Sequence, residues 1–197
     1  MEVWDIAGQK MLMEGTQAWQ SGHRDEAMGL FQAVVDQYPE RPEGYNKIGV
    51  IYAQTGELEA AERYFLTALT KDRAHAPSLT NLGNIYLERG ELDNAIQHYT
   101  LALAADANYA PAHRNLSVAY RKQGHLNRSV THLKRSQRLE TQRQREDFRT
   151  ERALRTGHAP PAQKARGNGR FALSSRNIWW IVIIGVALYL TVKAGHL

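Results

Sequence analysis

Apolar residues recur every three or four positions through most of the chain as far as Leu139. Tyr45, Ile48 and Tyr52 form one stripe, and Leu58, Ala61, Phe65 and Ala68 form the next. Spacing of this kind predicts amphipathic helices, each with one face to bury. Gly56 stands between the two stripes, where a helix ends and the backbone needs a left-handed turn that glycine adopts without steric cost. The predicted local unit is a helix, a tight turn and a second helix.

The unit recurs at a fixed period of 34. "GELEAAERYFLTAL" begins at Gly56 and "GELDNAIQHYTLAL" one period later at Gly90. Gly15, Gly49 and Gly83 keep this spacing, as do Gly22, Gly56, Gly90 and Gly124. Ala27, Ala61 and Ala95 form a third row, continued by Ser129. Phe31, Phe65, Tyr99 and Leu133 form a fourth, and Tyr52, Tyr86 and Tyr120 a fifth. Small residues let backbones approach, and large ones fill the space beside them. Pro77 and Pro111 share the period, and proline suits the first turn of a helix, so each opens a new unit. A helical pair cannot bury its apolar face alone, so the units must stack. These rows serve packing, and none of them is a catalytic set.

The period and its small and large rows resemble the tetratricopeptide repeat family from about Gln9 to Leu139. The expected fold is all-α, a helix-turn-helix solenoid of about four repeats. A repeat domain over residues 1–139 holds units at about 8–41, 42–75, 76–109 and 110–139. Units two and three match best. Unit one has Glu14 and Ala18 where the pattern has large apolar residues. Unit four has Ser117 in the glycine row and Ser129 and Ser136 in alanine rows. The closing proline stands only at Pro39, with Arg73 and Ala107 in the later units.

The resemblance implies a concave face lined by the first helix of each unit, where members of the family bind an extended peptide or a partner helix. The period places Asn46, Val50 and Gln54 there in unit two, and Thr80, Asn84 and Glu88 in unit three. Unit four adds Arg114, Val118 and Lys122, with Arg121 adjacent; Asn81 and Asn115 stand one period apart beside them. A carboxamide both donates and accepts, which suits a peptide backbone, although local capping or repeat packing accounts for Asn81 and Asn115 equally well. Arg114, Arg121 and Lys122 favour an acidic segment. Some family members grip a C-terminal carboxylate, but Leu12 and Thr16 occupy the places where that clamp needs lysine and asparagine, so it is not expected. Trp19 on the same face is either an exposed binding aromatic or packed against Val3 and Trp4.

Composition changes this picture at the two ends. There is no cysteine, hence no disulfide and no thiolate metal site. The net charge of +5 is unevenly spread: residues 1–112 hold 8 Lys+Arg against 16 Asp+Glu, and residues 113–177 hold 16 against 4. The opening MEVWDIAGQK has neither a basic start nor an apolar run, unlike a secretory signal. Residues 140–156 read as a charged helical arm, with Glu140–Arg143, Arg143–Asp147 and Glu151–Arg155 at pairing distance along a helix. Residues 157–177, rich in glycine, proline and cations, read as a flexible basic linker.

Residues 178–197 read as a transmembrane tail anchor. Ile178 to Val192, IWWIVIIGVALYLTV, carries no charge. Fifteen helical residues span about 22 Å against a bilayer core of about 30 Å, and continuing to Leu197 makes up the difference. Trp179, Trp180 and Tyr189 sit where interfacial aromatics belong, and Lys193 reaches headgroups by snorkelling. A buried terminal helix of the stack would need a polar outer face, which this run lacks. Cations before the span place the repeats on the cytoplasmic side and attract anionic lipid. A span this near the end implies insertion after synthesis. The expected location is a single-pass membrane protein with a cytoplasmic N-terminal domain, a bacterial inner membrane being favoured over a eukaryotic organelle membrane.

The function expected from these features is a membrane-anchored adaptor that recruits a protein partner through its groove and aids complex assembly. The alternative is a permanent accessory subunit of a membrane complex, its span packed against other transmembrane subunits. Gly185 and Ala187 allow close approach, though no GxxxG pair exists. No phosphate loop, metal-spaced cluster or nucleophile motif is found, so no enzyme, cofactor or metal is expected. His125 and His132, seven apart, are expected on a helix surface. Basic density attracts nucleic acid, but no reading motif accompanies it.

Overall fold

A computed structural model describes residues 6–156. Every element among them is helical: α1 (Ile6–Gln20), α2 (Arg24–Gln37), α3 (Pro42–Thr55), α4 (Leu58–Lys71), α5 (Ala76–Glu88), α6 (Leu92–Ala105), α7 (Ala110–Lys122) and α8 (Leu126–Thr156). The helices pair as the period predicts, α1 with α2, α3 with α4 and α5 with α6. The second helix of each pair packs on the first helix of the next, and first helices also touch, α3 on α5 and α5 on α7. Residues 1–149 form one compact unit and 150–197 another. In the second, the described part is the last turns of α8, held by an Arg155–Glu151 ion pair of 2.7 Å.

Two kinds of glycine build each pair, for different reasons. Gly22, Gly56, Gly90 and Gly124 have φ between 80° and 85°, with open space around them. They end the first helix in a left-handed turn. At the second of them the Gly56 N–H bonds Ala53 O at 3.3 Å and the next N–H, of Glu57, bonds Tyr52 O at 2.9 Å, which satisfies the last carbonyls of α3. Gly15, Gly49 and Gly83 lie within helices under an aromatic ring. A Cβ at Gly49 would stand 2.6 Å from the Phe65 ring, and one at Gly83 2.5 Å from the Tyr99 ring. The rings sit directly against the bare backbone and are almost fully buried. Burying one such ring contributes roughly 2–3 kcal/mol.

Turns between units use a device missed in the sequence. Where proline is absent after α4 and α6, Asp72 and Asp106 end the helix, again one repeat period apart. Asp72 Oδ1 accepts the Ala74 N–H at 2.8 Å, and Asp106 Oδ1 accepts the Asn108 N–H at 2.9 Å. Each is an Asx turn that steers the chain into the next first helix. Pro77 and Pro111 sit in the first turns of α5 and α7, as expected, and Pro42 does the same in α3, one residue off their row.

The arm predicted at 140–156 is continuous with the second helix of unit four, because α8 runs unbroken through it. Of the three expected ion pairs along it, Arg143–Asp147 (3.9 Å) and Glu151–Arg155 form. Glu140 instead bonds Arg114 on α7 and accepts Ser136 Oγ–H at 3.0 Å. No helix among the described residues is long and apolar enough to cross a membrane. The linker at 157–177 and the anchor at 178–197, with Trp179, Trp180, Tyr189 and Lys193, lie outside those residues.

Candidate functional site: the face of the first helices

The first helices carry the residues expected to meet a partner, and the structure divides them into two groups. Asn46 is buried, and its Oδ1 accepts Ser78 Oγ–H at 3.1 Å and Asn81 Nδ2–H at 3.0 Å. Asn84 Oδ1 accepts Tyr99 O–H at 2.8 Å and Asn115 Nδ2–H at 2.7 Å. These carboxamides tie α3 to α5 and α5 to α7, which gives Asn81 and Asn115 a tertiary role distinct from local capping. Val50 is half-buried against the core that contains Phe65. Thr80 is 3% exposed, and its Oγ1 has no hydrogen-bond partner among the described residues. Asn46, Val50 and Thr80 are thus turned inward, because adjacent first helices close over them. Asn84, Arg114 and Arg121 are exposed, as are Gln54, Glu88 and Lys122, while Val118 and Asn115 are half-buried. The Arg114 guanidinium is already neutralised by Glu140.

At the front of this face lies an open depression of about 580 Å³ lined by Leu12, Met13, Thr16, Gln17, Gln20 and Lys47. Met13 is 65% exposed. Thr16 gives its hydroxyl proton to Leu12 O at 2.7 Å, so it offers only lone pairs. The Lys47 ammonium lies 6.0 Å from the centre of the Phe31 ring and makes no ion pair among the described residues. Burial holds its pKa below the ordinary lysine value. A desolvated cation above an apolar floor suits a carboxylate joined to an apolar group. Sequence reasoning missed Lys47 and Met13, although both were within reach: Met13, Lys47, Asn81 and Asn115 form one row at the repeat period. Trp19 lines the neighbouring core with Phe31 and Ile48, and the Arg24 guanidinium stands 5.7 Å from its ring.

Two polar contacts resemble chemistry and differ from it. His75 Nδ1 lies 2.7 Å from Ser78 Oγ, a nucleophile-and-base separation. Ser78 is fully buried, however, and its proton is committed to Asn46, so the oxygen can reach no substrate. His113 and His132 meet with their Nδ1 atoms 2.9 Å apart, their rings tilted by 31° with centres 5.2 Å apart. His113 Nε2–H donates to Ala107 O at 3.2 Å, which leaves its Nδ1 to accept the proton of His132. Burial pushes both imidazoles below their usual pKa, and each ring then suffers a neighbour: Arg135 lowers His113, and His113 lowers His132. His132 is thus a half-buried partner of α7, in place of the surface position expected for it. His125 is exposed. No group of three or more His, Cys, Asp or Glu among the described residues could hold a metal.

Comparison with known proteins agrees with this architecture. Three family models match, each describing a tetratricopeptide repeat: one over residues 12–78, one over 64–97 and one over 83–124. No curated protein matches the sequence. Among solved structures, a thermophilic tetratricopeptide-repeat protein of Thermus thermophilus is similar at 23% identity and TM-score 0.60, with 68% of this chain and 75% of that one covered. MamA is similar at 21% identity and TM-score 0.55, with 70% and 81% covered. PilF of Pseudomonas aeruginosa is similar at 20% identity and TM-score 0.60, with 68% and 61% covered.

Proposed function

We propose that this chain, whose described helices form a stack of tetratricopeptide repeats, is a non-catalytic scaffold that recruits a protein partner to a membrane. The observation that carries the proposal is the open depression on the first-helix face, lined by Leu12, Met13 and a Lys47 ammonium that makes no ion pair among the described residues. Asn84, Arg114, Asn115 and Arg121 continue the same face toward unit four. The partner enters as an extended segment whose apolar side chain fills the depression and whose carboxylate meets Lys47. Burial makes that contact worth more than a surface pair, because Lys47 has already lost part of its water. The charge-free run from Ile178 supports anchoring in the bilayer, and the cations of residues 113–177 support a cytoplasmic repeat domain beside anionic lipid.

Photo-crosslinking from Met13 and Asn84 in native membranes tests the reading. Both positions should capture one and the same partner, and Lys47→Glu should reduce its capture at least tenfold without loss of helicity. An unchanged yield in the Lys47→Glu protein would remove the depression as the binding site. Chain lacking residues 178–197 should leave the membrane fraction after an alkaline wash; its retention there would remove the anchor. A partner lost in mild detergent and salt fits recruitment, whereas one that co-purifies in fixed ratio identifies a permanent subunit of a membrane complex.

A further inference from the structure

The stack closes its front end and leaves its rear end open. Within the stack, α6 seats α7 through Ile96, Tyr99 and Leu103, which meet Leu116, Ala119 and Tyr120. One period on, α8 carries Val130, Leu133 and Gln137 at the seating positions. Val130 and Leu133 are 49% and 41% exposed, and Leu126 on the same stripe is 62% exposed. The front end shows what a sealed terminus looks like. Lys10, Glu14 and Gln17 stand on α1 where α5 has Ser78, Leu82 and Ile85, and Lys10 pairs with Glu14 at 3.6 Å.

Charge distinguishes the rear end further. Arg121 stands one period after Leu87, which packs into the α6–α7 core. Lys122 follows it, and Lys134 and Arg138 continue the helical row that begins at Val130. All four are exposed. Arg114–Glu140, Arg143–Asp147 and Arg155–Glu151 pair along α7 and α8, and none of these pairs uses the four cations.

We propose that this end seats an acidic amphipathic helix of a partner protein, lying on α8 as α7 lies on α6. Its apolar stripe covers Leu126, Val130 and Leu133, and its flanking carboxylates meet Arg121, Lys122, Lys134 and Arg138. Two other occupants fit less well. Residues 157–197 of the chain contain no Asp or Glu and would bring further cations to the cationic rim. A second copy docking through α1 would present Lys10, Glu14 and Gln17 in place of an apolar stripe.

The test uses the full chain in mild detergent and a fluorescein-labelled peptide as long as α7. The peptide carries leucine, alanine and tyrosine at the α7 seating positions and glutamates on the flanks; a scrambled peptide of equal composition is the control. Anisotropy should show saturable binding of the first peptide and none of the second. Lys134→Glu with Arg138→Glu, on the exposed side of α8, should weaken binding at least tenfold with an unchanged circular dichroism spectrum. Val130→Glu should do the same. Equal binding of the scrambled peptide, or full affinity in the charge-reversed protein, overturns the proposal. So does a homodimer that Val130→Glu dissociates in sedimentation, or a photo-crosslink from Val130 to residues 157–197 of the same chain.

Discussion

The joint between α5 and α6 and the joint between α7 and α8 use the same repeat positions and make opposite choices. In the first, Gly83 lies against the Tyr99 ring with no room for a Cβ. In the second, Ser117 has its Cβ and Leu133 replaces the ring. The glycine and the aromatic are therefore one packing decision made at two positions. Where the ring is given up, a side chain returns opposite it, and its hydroxyl meets Ser129 Oγ at 3.2 Å. The ring also reaches past its own unit, since Tyr99 O–H donates to Asn84, which in turn holds Asn115 of unit four. The end joint has no such reach and is clasped by the His113–His132 pair instead. An interior joint locks three helices together; a terminal one needs to lock only two.

Removing the ring is the most direct way to break this contrast. Tyr99→Ala should cost about 4 kcal/mol in chemical denaturation, because it empties a buried ring site and orphans the Asn84–Asn115 link. Leu133→Ala at the matching position should cost about 1 kcal/mol or less, because the leucine is partly exposed already. Equal losses would show that the two joints are equivalent after all. Adding bulk comes next: Gly83→Val should cost about 3 kcal/mol, as the ring must leave its seat to admit the side chain.

The smallest effect, confined to the end joint, depends on pH. Both imidazoles have pKa values lowered in the folded state. The unfolded chain thus takes up protons first as the pH falls through the ordinary imidazole value of about 6.5, and stability declines on acidification. Melting temperature should drop between about pH 7.5 and about pH 5.5. Tyr120 stacks on His132, Arg128 lies over the Tyr120 ring, and Arg135 stands close enough to act on His113. His132→Gln should flatten the slope by removing one of the two titrating rings. A slope unchanged by that substitution would assign it to other groups.

Much of the fold was legible because each unit solves the same packing problem. Rows at the repeat period fixed helix, turn and helix four times, and the positive-φ glycines and the helix openers Pro77 and Pro111 stand where the period put them. The inter-unit turn was less legible, because Asp72 and Asp106 act through a side-chain hydrogen bond that leaves no apolar periodicity. The candidate site was legible as a face and misjudged in depth. Period places a residue on a helix but does not say how closely the next helix covers it, which is why Asn46 and Thr80 are buried and Asn84 is exposed.

By itself, the sequence determined an all-helical stack of one repeating unit, acidic in front and basic behind, whose apolar stripes can be satisfied only by neighbouring units. Tertiary structure alone decided the polar partners. Asn81 and Asn115 share one row, yet one donates back to Asn46 and the other back to Asn84. Likewise, Glu140 pairs with Arg114 on α7 in place of Arg143 on its own helix, and His132 finds His113 across the unit. The physical reason is that burial of apolar area depends on which face a residue occupies, which period fixes. A hydrogen bond depends instead on ångström-scale distances between helices, which only the assembled stack sets.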